Sequence, residues 1–300
     1  MAPPPEAPVP GRLSAADYQL TQQWNDTDVP LGALPCWHHV FEHRAAVSPD
    51  AVAVEGHGQE HTYAEVDERA NELAHLLRDC GVQPETIVGV VMERSVSLPV
   101  AMLAVAKAGG AFVLAEHTCP PERLRVMLQE ASVGVVLVDE AAETRLAGQD
   151  LPVRLIRVPT GKRRETRTPP VTGVSSGNTA YVVFTSGTTG IPKAVAIDHE
   201  GVVNLHIAQR RILGIQPGER VLQFLSPNFD GCVFDVTTAL LSGAVLVTAA
   251  SSGLTVGPPL LRTLRSARIN MVTLPPSVWA VLPDDPLPDL RVAAAAGERL

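Results

Sequence analysis

The chain alternates between segments with helical periodicity and short runs of β-branched residues. The segment from His61 to Gly81 opens with a capping box, Thr62 and Glu65, and then repeats apolar residues at helical spacing. The run TIVGVVM at 86–92 is apolar throughout, which is typical of a strand buried on both faces. Two helices, SLPVAMLAVAKAGG and PPERLRVMLQEA, and the strand VGVVLVD continue the series. This βαβα order predicts an α/β fold with mostly parallel sheets and right-handed crossovers.

A polar break divides the chain, and the alternation resumes beyond it. Residues 159–178, PTGKRRETRTPPVTGVSSGN, are rich in proline, glycine and serine, which predicts a boundary between two subdomains. At the other end, residues 1–12 are proline-rich and lack the apolar core of a signal peptide. We expect them to form a disordered leader before a folded domain at 13–300. Beyond the break we expect strands at 179–185, 194–198, 220–225, 244–248, 269–273 and 290–296, and helices near 199–213, 234–242 and 258–267.

Composition excludes several classes of protein. A net charge of −8 argues against nucleic-acid binding, and the basic triplet at 162–164 is interpreted as a solvated linker. The 4 cysteines are widely spaced and form no CxxC pair, which favours a reduced cytoplasmic protein over a disulfide scaffold or a zinc site. No apolar run approaches the length of a membrane span. The composition therefore predicts a cytoplasmic protein that binds neither nucleic acid nor membranes.

The segment YVVFTSGTTGIPKAVAI places a loop rich in glycine and hydroxyl groups between two strand-like runs. Its glycines permit close backbone approach, and its hydroxyl and N–H groups are donors that suit an anion, above all a polyphosphate. The lysine adds a cation, although the spacing GxxGxxKA differs from that of the P-loop. A flexible surface turn is the alternative. The candidate phosphate-binding residues are Thr185, Ser186, Gly187, Thr188, Thr189, Gly190 and Lys193.

The longer string AYVVFTSGTTGIPKAVAIDHEGVVNL resembles the nucleotide-binding signature of the AMP-forming ligases, which include acyl-CoA synthetases, luciferases and adenylation domains of nonribosomal peptide synthetases. The segments NFDGCVFDVTTALLSGAVLV, INMVTLPPSVWAVL and LPDLRVAAAAGERL are similar to the amino-acid-activating branch. Together the motifs extend the resemblance over nearly all of the chain from about residue 13. The resemblance implies the N-terminal core of the adenylate-forming ligase fold, with two βα-layered subdomains. It also implies that the loop wraps the β- and γ-phosphates of ATP, with Mg²⁺ bound to the nucleotide.

The resemblance also assigns an amino-acid site. It makes Asp230 the carboxylate that pairs with the substrate's α-ammonium group, and a carboxylate can hold an amine in a partly desolvated pocket. A helix N-cap is the alternative role for this aspartate. Gly297 and Glu298 would lie beside the adenine. Small apolar walls leave no partner for a buried charge, so we expect an apolar or aromatic substrate. The side-chain pocket would be lined by Gly231, Phe234, Thr273, Ala294 and Ala296.

The sequence departs from the family at three positions. Ala194 stands where glycine usually follows the Pro-Lys pair, and we expect this to weaken ATP binding without abolishing it. Leu114 and His117 replace prolines of a family turn, so its geometry differs here.

His39 and His43 have a spacing that can bind a metal on one helix face, but no third ligand stands out and we predict no metal site.

Several family motifs have no counterpart in the sequence, among them the Tyr-Gly-Pro-Thr-Glu loop, the ribose-binding aspartate and the small C-terminal lobe with its catalytic lysine. The chain is therefore expected to be a truncated adenylation domain for nonribosomal peptide synthesis, with no catalytic residue of its own and no competence alone. Its expected partners are an amino acid and a peptidyl carrier protein or downstream module, which would carry the phosphopantetheine. The alternatives are a fragment of an acyl- or aryl-acid CoA ligase and a non-catalytic remnant. Nonribosomal peptide synthesis makes antibiotics and other secondary metabolites.

Overall fold

A computed structural model describes residues 14–26, 29–149, 151–159, 168–185 and 193–299. The predicted leader, the basic triplet at 162–164 and most of the glycine-rich loop, at 186–192, lie outside these residues. Within the described residues the helices are α1 Ala15–Asn25, α2 Trp37–Val47, α3 Tyr63–Asp79, α4 Ser97–Lys107, α5 Pro121–Glu130, α6 Glu140–Leu146, α7 His199–Leu213, α8 Asp230–Ser242, α9 Pro258–Ser266 and α10 Pro276–Val281. The strands are β1 Val52–Gly56, β2 Gln59–Thr62, β3 Ile87–Met92, β4 Ala111–Glu116, β5 Val135–Val138, β6 Arg154–Arg157, β7 Thr179–Thr185, β8 Lys193–Asp198, β9 Arg220–Leu222, β10 Val245–Val247, β11 Met271–Leu274 and β12 Val292–Ala295.

The chain forms two compact units, 1–32 and 33–300. In the first unit, the side chain of Ser14 caps α1 by accepting a hydrogen bond from the backbone N–H of Asp17. The two sheets and every candidate site residue belong to the second unit.

Two sheets of six strands organise the second unit. Sheet 1 has the order β12-β11-β9-β10-β1-β2, and sheet 2 has the order β6-β5-β3-β4-β7-β8. Neighbouring strands are parallel except in the two edge pairs, β1 with β2 and β7 with β8. The predicted α/β class with mostly parallel sheets is confirmed.

The sheets do not follow the two halves of the sequence. Strands β1 and β2 precede the polar break but join sheet 1, while β7 and β8 follow it but join sheet 2. Each sheet therefore contains strands from both sides of residues 159–178. The proposed domain limits, including a boundary at this segment, stay a prediction.

Local sequence explains the helices that hold the sheets together. Thr62 and Glu65 form the predicted capping box of α3, with each side chain bonded to the other residue's backbone N–H. Helix α4 is buried along its whole length, including Lys107, whose ammonium group donates to Glu42, Asp67 and Asn71. These bonds satisfy a charge that would otherwise be costly to bury.

The predicted bounds of one functionally placed helix are wrong. We expected a helix at 234–242, whereas α8 begins at Asp230, and the preceding strand β9 ends at Leu222 rather than at 225. Asp230 therefore lies in the first turn of a helix and not at the end of a strand. The apolar pattern alone did not reveal the first turn because its residues are Asp-Gly-Cys, which are poor helix formers in a helix interior.

Candidate active site

The two ends of the glycine-rich loop meet in an antiparallel hairpin. Strands β7 and β8 pair so that Thr185 lies opposite Lys193, and Phe184 lies opposite Ala194. Both Thr185 and Lys193 are exposed. The two residues are therefore direct cross-strand neighbours at the base of the loop. The other predicted phosphate-binding residues, Ser186 to Gly190, lie outside the described residues.

A cavity of about 400 Å³ brings the predicted amino-acid residues together. All six line it, although they come from three separate parts of the chain: the start of α8, the strand β11 and the end of β12. The rest of its wall is mostly apolar and includes Tyr181, Ile197, Val202, Leu205, Leu225 and Val233. The predicted residues on the cavity are Asp230, Gly231, Phe234, Thr273, Ala294 and Ala296.

Asp230 supplies the negative charge of this cavity. It is the first residue of α8, where the helix dipole stabilises a carboxylate, but the preceding position is Phe229 and no side chain caps the helix within the described residues. The alternative role as the N-cap is therefore wrong. Asp230 is exposed, and among the described residues its carboxylate makes neither a hydrogen bond nor an ion pair. Burial, together with the nearby charge of Asp230, raises the pKa of the Tyr181 hydroxyl to about 12.

A buried carboxylate behind the cavity was missed by the sequence analysis. Asp235 is fully buried in α8, and its Oδ2 accepts hydrogen bonds from the backbone N–H groups of Phe224 and Leu225, at 3.2 and 3.1 Å. Burial raises its pKa to about 8, although the two backbone bonds oppose this shift. The Thr273 hydroxyl lies near enough to Asp235 to lower the pKa of its carboxyl group. Within the described residues, however, neither Thr273 Oγ1 nor Asp235 Oδ1 makes a hydrogen bond of good geometry. The sequence signal that could have revealed this buried residue is an aspartate flanked on both sides by apolar residues of a helix.

A second set of contacts braces the loop before α8 from sheet 2. Asn228 accepts a hydrogen bond from the backbone N–H of Glu116 at 3.1 Å, and its amide group donates to the Glu116 carboxylate at 3.5 Å. Arg94 forms an ion pair of 2.9 Å with the same carboxylate. The loop that leads into Asp230 is therefore attached to the carboxyl end of β4.

Leu114 and His117, which stand where the family has prolines, lie within β4 and directly after it. Strand β4 runs through Leu114, which is in register with Val90 of β3, and His117 follows the strand and lies 3.2 Å from Glu93. Leucine has the backbone N–H that proline lacks, so it can continue the ladder of a central strand. The turn therefore begins only after Glu116, later than a proline at 114 would favour.

Gly297 and Glu298 follow the cavity residue Ala296 directly. Gly297 has a φ of 87°, a left-handed conformation that favours glycine, and it turns the chain after β12. The Glu298 carboxylate accepts a hydrogen bond of 3.2 Å from the backbone N–H of Ser277, in the first turn of α10. This bond fixes the turn beside the cavity, and the predicted adenine contact stays a prediction.

The comparison with protein families identifies the chain. Residues 41–300 match the family described as AMP-binding enzyme. The chain belongs to the AMP-binding enzymes. This confirms the resemblance that was read from the sequence motifs, and the cavity and hairpin above lie within the matched residues.

Relatives within the AMP-binding family are nonribosomal peptide synthetases and related synthases. The chain is 41% identical to a linear gramicidin synthase of Brevibacillus parabrevis over 93% of its own length and 6% of that protein. It is 38% identical to chondramide synthase cmdD of Chondromyces crocatus, over 94% of this chain and 7% of that one. The chain therefore spans less than a tenth of these curated relatives.

A solved structure confirms the fold of this AMP-binding enzyme. The crystal structure of the nonribosomal peptide synthetase FmoA3 superposes with a TM-score of 0.83 at 29% identity, over 95% of this chain and 31% of that one. An AMPPNP-bound form of FmoA3 matches equally well. Within the described residues, no helix is both long enough and apolar enough to cross a bilayer.

Proposed function

We propose that this chain takes part in the ATP-dependent activation of an amino acid as an aminoacyl-adenylate for nonribosomal peptide synthesis. The observation that carries the proposal is the carboxylate of Asp230, unpaired among the described residues, on a mostly apolar cavity. A carboxylate in this setting is suited to an α-ammonium group, because a charge-assisted hydrogen bond is stronger where water is partly excluded. The relatives named above are synthetases of the same class, which supports the assignment.

The amino acid is proposed to be apolar or aromatic. Besides Asp230, the polar side chains on the cavity are Tyr181, Thr237 and Thr273. The Thr237 hydroxyl already donates to the backbone carbonyl of Val233, so it is not free to bind a substrate through its proton. A charged substrate side chain would be desolvated without a partner, which is unfavourable. A cavity of about 400 Å³ offers space for a large side chain.

ATP is the proposed co-substrate, with Mg²⁺ bound to its phosphates. Thr185 and Lys193 would contact the polyphosphate from the base of the hairpin, since a residue with a hydroxyl donor and one with a cation are direct cross-strand neighbours there. ATP supplies the electrophilic α-phosphate: the amino-acid carboxylate attacks it, the bond to the β-phosphate breaks and pyrophosphate leaves. The phosphopantetheine thiol of a carrier protein would then attack the acyl carbon: a thioester forms, the acyl–phosphate bond breaks, AMP leaves and the thiol proton is released. The four cysteines of the chain are all free thiols, which supports a cytoplasmic location.

Equilibrium binding to the purified chain tests the proposal. We expect L-phenylalanine and L-leucine to bind more tightly than L-aspartate and L-lysine in isothermal titration calorimetry with AMPPNP present. The substitution Asp230→Asn should weaken L-phenylalanine at least about tenfold, since it removes a charge-assisted bond, and leave 3-phenylpropionate unchanged. Asp284→Asn, at an exposed carboxylate away from the cavity, is the matched control. Tightest binding of L-aspartate or L-lysine would contradict the proposed preference.

The same titrations separate the alternative functions. Equal binding of 3-phenylpropionate and L-phenylalanine, with no effect of Asp230→Asn, would instead favour an acyl- or aryl-acid CoA ligase. Lys193→Ala should weaken AMPPNP without altering the ranking of the amino acids. A folded chain that binds neither AMPPNP nor any amino acid would be a non-catalytic remnant, and the proposal would be wrong.

A further inference from the structure

Three potential metal ligands meet at the N-terminal ends of two helices. Cys36 immediately precedes α2, His38 lies in the first turn of that helix, and His199 is the first residue of α7. Their ligating atoms all lie within 4.8 Å of one another. The backbone N–H of His199 donates to the carbonyl of Asn178 at 3.0 Å, which fixes the start of α7 beside the beginning of β7. The group is thus assembled by tertiary packing between distant parts of the chain.

The cluster is buried, and its polar atoms are unsatisfied within the described residues. Cys36 and His199 are 0% exposed and His38 is 3% exposed. Neither ring nitrogen of His199 has a hydrogen-bond partner there, and Nδ1 of His38 also lacks one. A neutral imidazole carries one donor and one acceptor, so His199 leaves one of each unpaired among these residues. Buried groups of this kind are normally paired, which points to a species that completes the site.

We propose that Cys36, His38 and His199 bind a divalent cation of the zinc class, with three protein ligands and a fourth position left for water. One thiolate and two imidazoles form a ligand set that suits Zn²⁺, which binds sulfur at about 2.3 Å and nitrogen at about 2.0–2.1 Å. A tetrahedral ion would bring the ligand atoms to roughly 3.3–3.7 Å from one another. Side-chain rotation by about 1 Å therefore closes the site from its present spacing.

The groups around the cluster offset the positive charge of a bound ion, and a neighbouring cavity gives the ion access. Lys107 lies near His38, but its ammonium group is paired with Glu42 at 2.7 Å and Asp67 at 2.9 Å, so the three groups sum to one negative charge. A cavity of about 210 Å³ is lined by His38 and Glu42, and by residues 169–174 on its other side. Of the three ligands His38 lines this cavity, so an ion or a water molecule would reach the cluster from the side of His38.

The forms of these ligands that bind a metal are the neutral imidazole and the thiolate. Binding replaces the S–H bond by a sulfur–metal bond and releases one proton to solvent, with no oxidation or reduction.

Cobalt(II) spectroscopy on the complete 300-residue chain tests the site, with no need for catalytic activity. Addition of Co²⁺ to chelator-treated protein should give one equivalent of bound metal, a thiolate-to-cobalt charge-transfer band and the visible bands of tetrahedral Co²⁺. Zn²⁺ should displace the cobalt and raise the thermal midpoint, because it binds the native state. Cys36→Ser should abolish the charge-transfer band, and His199→Gln should weaken binding at least about tenfold.

Two control variants keep the test decisive. Cys80→Ser removes a free cysteine outside the cluster, and His43→Gln removes an exposed histidine of α2. Both should bind Co²⁺ like the original chain. Circular dichroism identifies which variants fold, and Cys36→Ser, the mildest change, provides the deciding comparison. The absence of a thiolate band in the original chain, or a band that survives Cys36→Ser, would overturn the proposal.

Discussion

Replacing Asp235 with asparagine is expected to reduce the dependence of the protein's stability on pH. In the structure both backbone N–H groups that bind this carboxylate, those of Phe224 and Leu225, donate to the same oxygen. The single carbonyl oxygen of asparagine can accept both bonds. The new amide group would replace Oδ1, which makes no hydrogen bond within the described residues. The substitution therefore removes the titration while it keeps the contacts.

The expected magnitude follows from the raised pKa. Burial raises the pKa of Asp235 to about 8, against 3.8 for an unperturbed aspartate. Between these two values the native state retains a proton that the unfolded state has lost, so the free energy of unfolding falls as the pH rises. One pH unit changes it by at most about 1.4 kcal/mol. Between pH 5.5 and 7.5 the original chain should lose about 2.5 kcal/mol through this group, and Asp235→Asn should lose none of it.

Urea denaturation at a series of pH values measures the effect. The difference in unfolding free energy between Asp235→Asn and the original chain should grow in favour of the variant up to about pH 8 and then level off. Asp235→Leu provides a contrast, since it leaves two buried N–H groups unpaired and should destabilise the fold at every pH by about 1–3 kcal/mol for each group. A difference between Asp235→Asn and the original chain that does not change with pH would refute the assignment of a buried, titrating Asp235.

Three further predictions concern other buried contacts. Tyr63→Phe should lower the unfolding free energy in urea by about 1–2 kcal/mol, because the buried hydroxyl donates its single proton to the backbone carbonyl of Ala244, at 2.8 Å, just after α8. In Gly231→Ala the new methyl group would collide with the Leu225 side chain, and titrations should show weaker binding of large amino acids, restored by Leu225→Ala. Burial, reinforced by two nearby arginines, lowers the pKa of His206 to about 4, below the 6.5 of an unperturbed histidine. Stability from this residue is therefore complete above pH 6.5 and is lost as the pH falls towards 4, so His206→Gln should unfold less readily on acidification than the original chain.

Local signals in the sequence predicted individual elements well. Helix α3 begins where the capping box was found, and β7 occupies the expected residues 179–185. Such elements are determined by neighbours along the chain, through capping bonds and apolar periodicity. The first turn of α8 was missed because its helical state depends on packing against the rest of the fold and not on its own residues.

Long-range arrangement was less accessible to the sequence. A strand such as β1 is apolar enough for either sheet, and nothing in its own residues reveals that it pairs with β10. The cavity residues were predicted from the family resemblance, and the structure adds that all of them line the same cavity. Cys36, His38 and His199 carry no spacing signal, since the third residue comes from a different helix far along the chain. The buried role of Asp235 likewise depends on the loop that folds over it.

The hairpin of β7 and β8 links the two parts of the proposed reaction. Tyr181 of β7 and Ile197 of β8 line the cavity proposed for the amino acid, while Thr185 and Lys193 of the same strands flank the loop proposed to bind phosphate. Thr185 lies four positions after Tyr181 in the strand, a distance of roughly 13 Å. That distance is comparable to the length of an amino acid joined to a nucleotide's phosphates, so one rigid element can position both substrates. Because the loop carrying Asp230 is attached to β4 through Asn228, and β4 pairs with β7, the proposed ammonium anchor and the phosphate loop share one support. We therefore expect displacement of that hairpin to disturb the proposed amino-acid binding and the proposed phosphate binding together.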